Sequence, residues 1–138
     1  MVCCLIVEDS DLIREIAGRI VRELGLDVVE AENAPDGVDA CEEHSPAVVL
    51  LDWDLPSMGA LDFLRGAAGF APEKRPTIVL CATENDLQQF TLAKAAGAAH
   101  HILKPYDRDS IKHKFTEIGL VSGNRVQSGD RAGEQFAS

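Results

Sequence analysis

The feature that most constrains the fold is the regular alternation of short apolar runs with segments of helical spacing. Five runs have the length and the Val, Ile and Leu content of buried strands. They span 2–7, 26–31, 48–51, 77–82 and 99–103. Strands that alternate with helices form parallel sheets with right-handed crossovers and helices on both faces. The sequence therefore predicts an α/β domain with a doubly wound, five-stranded parallel sheet.

Capping residues mark the ends of the predicted helices. Ser10 and Gly25 bound the first helix, and Asn33 begins a second helix that runs to about His44. We expect the third helix to be short, because Gly66, Gly69 and Pro72 break it up before Pro76. The last three helices are expected around 61–64 and over 87–96 and 107–118.

Length and charge limit the domain count and the class of partner. We expect one domain over 1–118 and a flexible Gly- and Ser-rich tail over 119–138. The formal net charge of −10 argues against a nucleic-acid partner, because binding to phosphates needs clustered Lys and Arg. The first residues lack a basic leader and a membrane-length apolar run, so the sequence predicts a cytoplasmic protein without membrane contact.

Three of the apolar runs end at charged residues. Asp52 follows the run 48–51, Glu8 and Asp9 follow the first run, and Lys104 follows the fifth. Ligands of parallel sheets bind at the carboxyl ends of the strands, so these side chains point to a site. Two carboxylates about 4 Å apart repel by on the order of 4 kcal/mol at an effective dielectric near 20. A hard divalent cation relieves this repulsion, and oxygen ligands favour Mg²⁺.

The cysteines suggest packing rather than metal binding. Cys3, Cys4, Cys41 and Cys81 show no CxxC spacing, and three of them lie inside apolar runs. A zinc site with His100 or His101 is the alternative. It is disfavoured because Cys3 and Cys4 point to opposite faces of a strand.

Residues 2–118 resemble the response-regulator receiver domains, in particular the single-domain CheY-like kind. The residues that match are Glu8, Asp9, Asp52, Trp53, Pro56, Lys104 and Pro105. The resemblance implies a flavodoxin-like (βα)5 fold with strand order 2-1-3-4-5. It also implies a two-component phosphorelay, in which a histidine kinase or phosphotransfer protein supplies a phosphoryl group. The surface of helix 4, strand 5 and helix 5 would then contact a downstream protein.

In such a site Asp52 would accept the phosphoryl group. Mg²⁺ would be bound by Asp9, Asp52 and the backbone carbonyl of Asp54, with Glu8 acting through water. Lys104 would pair with Asp52 at rest and with a phosphate oxygen afterwards. We expect the peptide bond between Lys104 and Pro105 to be cis.

The sequence departs from this family at the residues expected to respond to phosphorylation. Ala82 stands where receivers carry a Ser or Thr that binds the phosphate, and Thr83 is a possible substitute hydroxyl. His101 stands at the position of the aromatic switch residue. The alternative function is therefore a binding module that keeps the receiver fold but works independently of phosphorylation.

An enzymatic function is the less favoured class. Asp52-Trp53-Asp54 fits the DxD motif of haloacid-dehalogenase-like phosphatases, but those motifs lie on the first strand of larger chains. Here the motif follows the third strand of 138 residues. The sequence therefore predicts a phosphoacceptor rather than a phosphatase.

Overall fold

The computed structural model describes residues 2–83 and 87–121. Its strands are β1 (Cys3–Val7), β2 (Asp27–Ala31), β3 (Val48–Asp52), β4 (Thr77–Ala82) and β5 (His100–Leu103). Within the described residues they form one parallel sheet in the order β2-β1-β3-β4-β5. The predicted sheet and strand order are confirmed, although β1, β2 and β5 each begin one residue later than expected.

A helix follows each strand. The helices are α1 (Asp11–Glu23), α2 (Ala34–His44), α3 (Gly59–Ala68), α4 (Leu87–Ala95) and α5 (Arg108–Glu117). Two short 3₁₀ turns, Pro56–Met58 and Pro72–Lys74, flank α3 and were not expected from the sequence. In the described part of the chain, every helix is too short or too polar to span a bilayer.

The predicted helix caps are present where the sequence placed them. The Ser10 hydroxyl accepts the backbone N–H of Ile13 at 3.2 Å, and Asn33 accepts that of Asp36 at 2.8 Å. Each bond satisfies an N–H that the first turn of the helix leaves without a partner. Gly25 follows α1 with a φ of +95°, a conformation that favours glycine.

The expectation that Gly66 interrupts α3 is wrong. The helix continues through Gly66 to Ala68. A Cβ atom at Gly66 would lie 2.7 Å from Cγ2 of Val38 on α2. The glycine therefore allows α2 and α3 to approach each other, and this close packing outweighs its poor helix propensity.

The sheet is covered on both faces within the first 106 residues. Leu5 and Val7 of β1 belong to a buried cluster that includes Phe63 of α3 and Phe90 of α4. The alternate residues of β1 and β3, such as Ile6 and Leu50, face the opposite side and are also buried. On that side α1 approaches so closely that a Cβ atom at Gly18 would contact Val28 of β2.

The chain divides into two compact units, Met1–Tyr106 and Asp107–Ser138. In the second unit Asp107 caps α5 by accepting the N–H of Ser110 at 2.8 Å. Ile111 and Phe115 are the buried residues of this helix. Most of the tail expected over 119–138 lies outside the described residues, so that division of the chain stays a prediction.

Candidate functional site

Charged side chains meet at the carboxyl end of the sheet. β1 and β3 are parallel neighbours, and Val7 lies opposite Leu51 in their register. The residues that come next, Glu8 and Asp52, are therefore at the same level. Lys104 directly follows β5, and its peptide bond to Pro105 is cis, as expected.

Three carboxylates form a cluster at this point. Oxygen atoms of Glu8, Asp9 and Asp52 all lie within 4.8 Å of one another. Glu8 and Asp52 are each 1% exposed, whereas Asp9 is exposed to solvent. Negative charges this close and this buried repel strongly unless a cation lies among them. The oxygen-only donor set fits Mg²⁺, which binds through carboxylates and keeps positions for water and phosphate oxygens.

Lys104 supplies a positive charge to the cluster. Its Nζ lies 2.7 Å from Oδ1 of Asp52, 3.5 Å from Oε1 of Glu8 and 3.9 Å from Oδ2 of Asp54. The lysine side chain is only 7% exposed, so water screens these interactions weakly. The pairing of Lys104 with Asp52 that the sequence predicted is present.

The electrostatics of the site favour a proton or a cation near Glu8. Burial and then the charge of Asp52 raise the pKa of the Glu8 carboxyl to about 7, against the opposing effects of the Ser10 N–H and of Lys104. Burial opposes the charge on Lys104, but its bond to Asp52 and the surrounding carboxylates outweigh that effect and raise its pKa. One ammonium group therefore does not neutralise the cluster fully.

Sequence reasoning missed Arg14, which holds the loop between β1 and α1. Its Nη1 donates to the backbone carbonyl of Glu8 at 2.7 Å, and its Nε pairs with Glu30 at 3.1 Å. Only 12% of its side chain is exposed. Cations on helices are usually solvated, so the local pattern did not single out this arginine. Its contacts fix the backbone from which Glu8 and Asp9 reach the site.

The hydroxyl expected to replace the missing Ser or Thr is not directed at Asp52. Ala82 ends β4 and is buried. The Thr83 hydroxyl donates to Oδ2 of Asp54 at 3.3 Å. The backbone N–H of Asp54 in turn donates to Oδ1 of Asp52 at 2.9 Å. Thr83 is therefore connected to the site through the side chain of Asp54, which the sequence had suggested only as the second acid of the disfavoured phosphatase motif.

His101, expected at the aromatic switch position, lies at the surface of β5. Its ring stacks on Phe90 of α4 with centroids 4.1 Å apart and an angle of 20° between the planes. Both rings line a shallow cavity of about 200 Å³ between α4 and β5, together with Leu80 and Lys94. The stack therefore connects α4, the helix after β4, to β5.

The cysteines are free thiols, and three of them are buried. Burial raises the pKa of Cys81, which lies beside Asp52 in the sheet, to about 12. In the described residues, no cysteine lies in a cluster with histidines or acids that could hold a metal. Near Cys81, the Tyr106 hydroxyl is buried without a hydrogen-bond partner among the described residues, and burial raises its pKa well above the usual range.

Comparison with known proteins assigns the sequence to one family. The sequence model of the family described as response regulator receiver domain matches residues 4–116. Chemotaxis protein CheY1 of Helicobacter pylori is 30% identical over 116 residues, which cover 83% of this chain and 94% of that protein. A chemotaxis protein CheY homolog of Campylobacter jejuni is 29% identical over 122 residues, covering 86% and 94% of the two chains.

Solved structures share the fold. Chemotaxis response regulator CheY4 of Vibrio cholerae superposes with a TM-score of 0.78 at 21% identity, covering 86% of this chain and 98% of that one. The receiver domain of Ssk1 from Saccharomyces cerevisiae, solved with the histidine phosphotransfer protein Ypd1, gives 0.77 at 21% identity over 86% and 88%. On these matches the chain belongs to the response-regulator receiver domains, a family of two-component signalling proteins.

Proposed function

We propose that the domain accepts a phosphoryl group on Asp52 and signals through protein contacts that the phosphoryl group changes. The observation that carries this proposal is the position of the Asp52 carboxylate. It is buried at the end of β3, 2.7 Å from Nζ of Lys104 and within reach of two more carboxylates. A charge placed so deeply serves packing poorly, but it suits a nucleophile that a cation must assist.

The transfer would proceed by displacement at phosphorus. An oxygen of Asp52 forms a bond to the phosphorus of a donor phosphohistidine, the P–N bond breaks, and the imidazole nitrogen keeps the electron pair and takes up a proton. Lys104 would pass from Asp52 to an oxygen of the transferred group and balance its charge. The aspartyl phosphate is an acyl phosphate, so water can later release the phosphate.

Mg²⁺ is the metal that the donor set supports. Asp9, Asp52 and the backbone carbonyl of Asp54 would hold it directly, and Glu8 would act through water. When bound, Mg²⁺ supplies positive charge to the phosphoryl oxygens. The mutual repulsion of the clustered carboxylates, described above, supports this assignment.

We infer that the phosphoryl donor is a histidine kinase or a histidine phosphotransfer protein, and that it docks on α1. Leu12 and Ile16 lie one turn apart on α1 and are 66% and 39% exposed. This apolar pair lies in the helix that begins two residues after Asp9. Exposed apolar side chains beside a reactive site are suited to binding a partner.

We propose α4 and β5 as part of the output surface. Leu87 and Leu92 of α4 are 75% and 52% exposed, and Leu103 of β5 is 43% exposed. The stack of Phe90 and His101 lies between the two elements. A downstream protein that contacts these leucines would detect a change at the end of β4.

Labelling with a small phosphodonor tests the assignment of Asp52. With Mg²⁺ and labelled acetyl phosphate, the wild type should take up hydroxylamine-sensitive phosphate, and Asp52→Asn should take up none. Asp27→Asn, an exposed acid where β2 begins, is the matched control and should label normally. Label that persists in Asp52→Asn would show that another residue is the nucleophile.

Comparing two donors separates docking from chemistry. Replacing Leu12 and Ile16 by arginine should slow transfer from a histidine phosphotransfer protein while leaving transfer from acetyl phosphate unchanged. Leu92→Arg, an exposed leucine on α4, is the control and should affect neither rate. Equal slowing with both donors would mean that α1 supports the fold or the site rather than the partner.

A further inference from the structure

Asp54 makes side-chain contacts that the proposed phosphoryl transfer does not require. Its backbone N–H donates to Asp52 at 2.9 Å, which holds the residue beside the acceptor. Its carboxylate accepts the Thr83 hydroxyl at 3.3 Å and lies 3.9 Å from Nζ of Lys104. One carboxylate therefore contacts both the lysine of the site and the residue that follows β4.

A phosphoryl group on Asp52 would compete with Asp54 for Lys104. The group brings negative charge to the ammonium that Asp54 now approaches, so it attracts Lys104 and repels the Asp54 carboxylate. The Asp54 side chain is 49% exposed, which leaves it solvent to move into. Its neighbour Asp52 is almost fully buried and has no such freedom.

The bond between Asp54 and Thr83 is suited to breaking under this repulsion. At 3.3 Å it is longer than the usual range for a hydroxyl donor, so it is weak. Thr83 directly follows Ala82, the last residue of β4. Movement of the Asp54 carboxylate would therefore release the end of this strand without any hydroxyl at Ala82.

We propose that Asp54 is a positioning residue and that its bond to Thr83 is a latch, closed at rest and opened by phosphorylation of Asp52. This inference rests on the proposed function of Asp52. It assigns Thr83 a role different from the substitute hydroxyl expected from the sequence. Thr83 responds to the displacement of Asp54 and does not bind the phosphate.

Two conservative substitutions separate these roles. Asp54→Asn keeps the size of the side chain, the backbone carbonyl and an oxygen acceptor for Thr83, but removes the negative charge. Thr83→Val keeps the shape and removes the hydroxyl. Asp62→Asn on α3 and Thr91→Val on α4 are exposed matched controls. The readouts are phosphate uptake from acetyl phosphate, and the amide shifts of residues 80–83 and 87–95 on adding Mg²⁺ and beryllofluoride.

The latch predicts opposite effects on uptake and response. Asp54→Asn should raise the uptake rate by about tenfold, as expected when one nearby negative charge is removed. It should also reduce the amide shifts at Thr83 and α4, because the repulsion that opens the latch is gone. Thr83→Val should reduce the same shifts, and the double variant should lose no more than either single variant. The two controls should match the wild type in both readouts.

Different failures overturn different statements. Wild-type uptake and wild-type shifts in Asp54→Asn would overturn the latch alone. Weaker retention of beryllofluoride in Thr83→Val, with no change in Asp54→Asn, would also overturn it and show that Thr83 binds the phosphate. If the wild type itself shows no response of Trp53 fluorescence or of the amides beside Asp52, the proposed function is wrong and the latch with it.

Discussion

The chemical part of the site is more deeply buried than the part that is expected to respond to it. The acceptor region, as we call the first part, consists of Glu8, Asp9, Asp52 and Lys104. Glu8 and Asp52 are each 1% exposed and the Lys104 side chain is 7% exposed, whereas Asp9 is exposed to solvent. Hydrogen bonds and charge pairs of 2.7 to 3.5 Å connect Lys104 to two of the acids.

The response region consists of Ala82, Thr83 and His101, and the Thr83 hydroxyl is connected to the acceptor region indirectly, through Asp54. Thr83 and His101 are both exposed. Among the described residues, a hydrogen bond of 3.3 Å joins Thr83 to Asp54, and the His101 ring stacks on Phe90 of α4. Ala82 is buried, and its side chain has no polar group.

This difference shows that accepting a phosphoryl group and responding to it impose unequal demands on the side chains. Transfer needs several charges at fixed distances, so few residue types can replace Asp52 or Lys104. A response needs only a contact whose free energy differs between two states, which many residue pairs can supply. The two regions can therefore depart from the family pattern independently of each other.

Metal binding tests the acceptor region and should give the largest effect. On the proposed function, Mg²⁺ binds the folded cluster and not the unfolded chain. It should therefore raise the unfolding free energy by about 2 to 3 kcal/mol when its concentration reaches about a hundred times its dissociation constant. Asp9→Asn should abolish most of this gain. Urea unfolding with and without millimolar Mg²⁺ measures it.

Asp11→Asn, another exposed acid nearby on α1, is the control for the loss of charge. It should keep the Mg²⁺ effect, because its carboxylate lies outside the cluster. If Mg²⁺ leaves the unfolding free energy of the wild type unchanged, this result contradicts the assignment of the cluster as a metal site.

Titration of Glu8 should give a somewhat smaller effect in the same region. Its pKa is about 7 in the folded protein and 4.5 in the absence of the fold, so the folded state binds the extra proton between these values. Without Mg²⁺, the stability due to this group is therefore present below about pH 4.5 and lost as the pH rises through about 7. The charge of Lys104 offsets part of the repulsion, so we expect on the order of 1 to 2 kcal/mol.

The measurement is the unfolding free energy in EDTA at about pH 6 and about pH 8, in the wild type and in Glu8→Gln. The wild type should lose stability over this interval relative to the variant, in which position 8 does not titrate. Equal slopes for both proteins would mean that the carboxylates of the acceptor region do not repel one another as described.

The sequence predicted the acceptor region better than the response region for a physical reason. Asp52 follows a run of four buried apolar residues, so its charge was conspicuous, and parallel strands bring their ends to one edge. The strand order itself came from family resemblance. Thr83 and Asp54, by contrast, lie 29 residues apart and meet only in three dimensions. No spacing rule relates two such loop residues.

The wrong expectation for Gly66 and the failure to single out Arg14 have a similar origin. Gly66 was expected to interrupt α3 on local propensity, but the close approach of Val38 on α2 makes glycine the residue that fits. Arg14 was overlooked because its contact with the backbone of Glu8 depends on how α1 leaves the sheet. In both places tertiary packing outweighed the local pattern.

Restoring a hydroxyl to the response region should make the two regions more alike. Ala82→Thr should enlarge the amide shifts that Mg²⁺ and beryllofluoride cause around β4 and α4. A charge-assisted bond to the phosphate is worth about 1.5 to 3 kcal/mol, part of which the larger side chain will lose to crowding at this buried position. Ala82→Val adds the same volume without the hydroxyl and should not enlarge the shifts. Equal shifts in the two variants would assign the change to volume.

The smallest expected effect concerns Tyr106, which lies near Cys81, the neighbour of Asp52 in the sheet. The Tyr106 hydroxyl is buried, has no hydrogen-bond partner in residues 2–83 or 87–121, and lies near the Cys81 thiol, a weak partner at best. Tyr106→Phe removes this hydroxyl while keeping the ring, so it should raise the unfolding free energy by up to about 1 kcal/mol. Urea unfolding in the wild-type and Cys81→Ala backgrounds measures the gain. The opposite result is that Tyr106→Phe destabilises the wild type and leaves the stability of the Cys81→Ala background unchanged. That result would show that the Cys81 thiol is a hydrogen-bond partner of the Tyr106 hydroxyl.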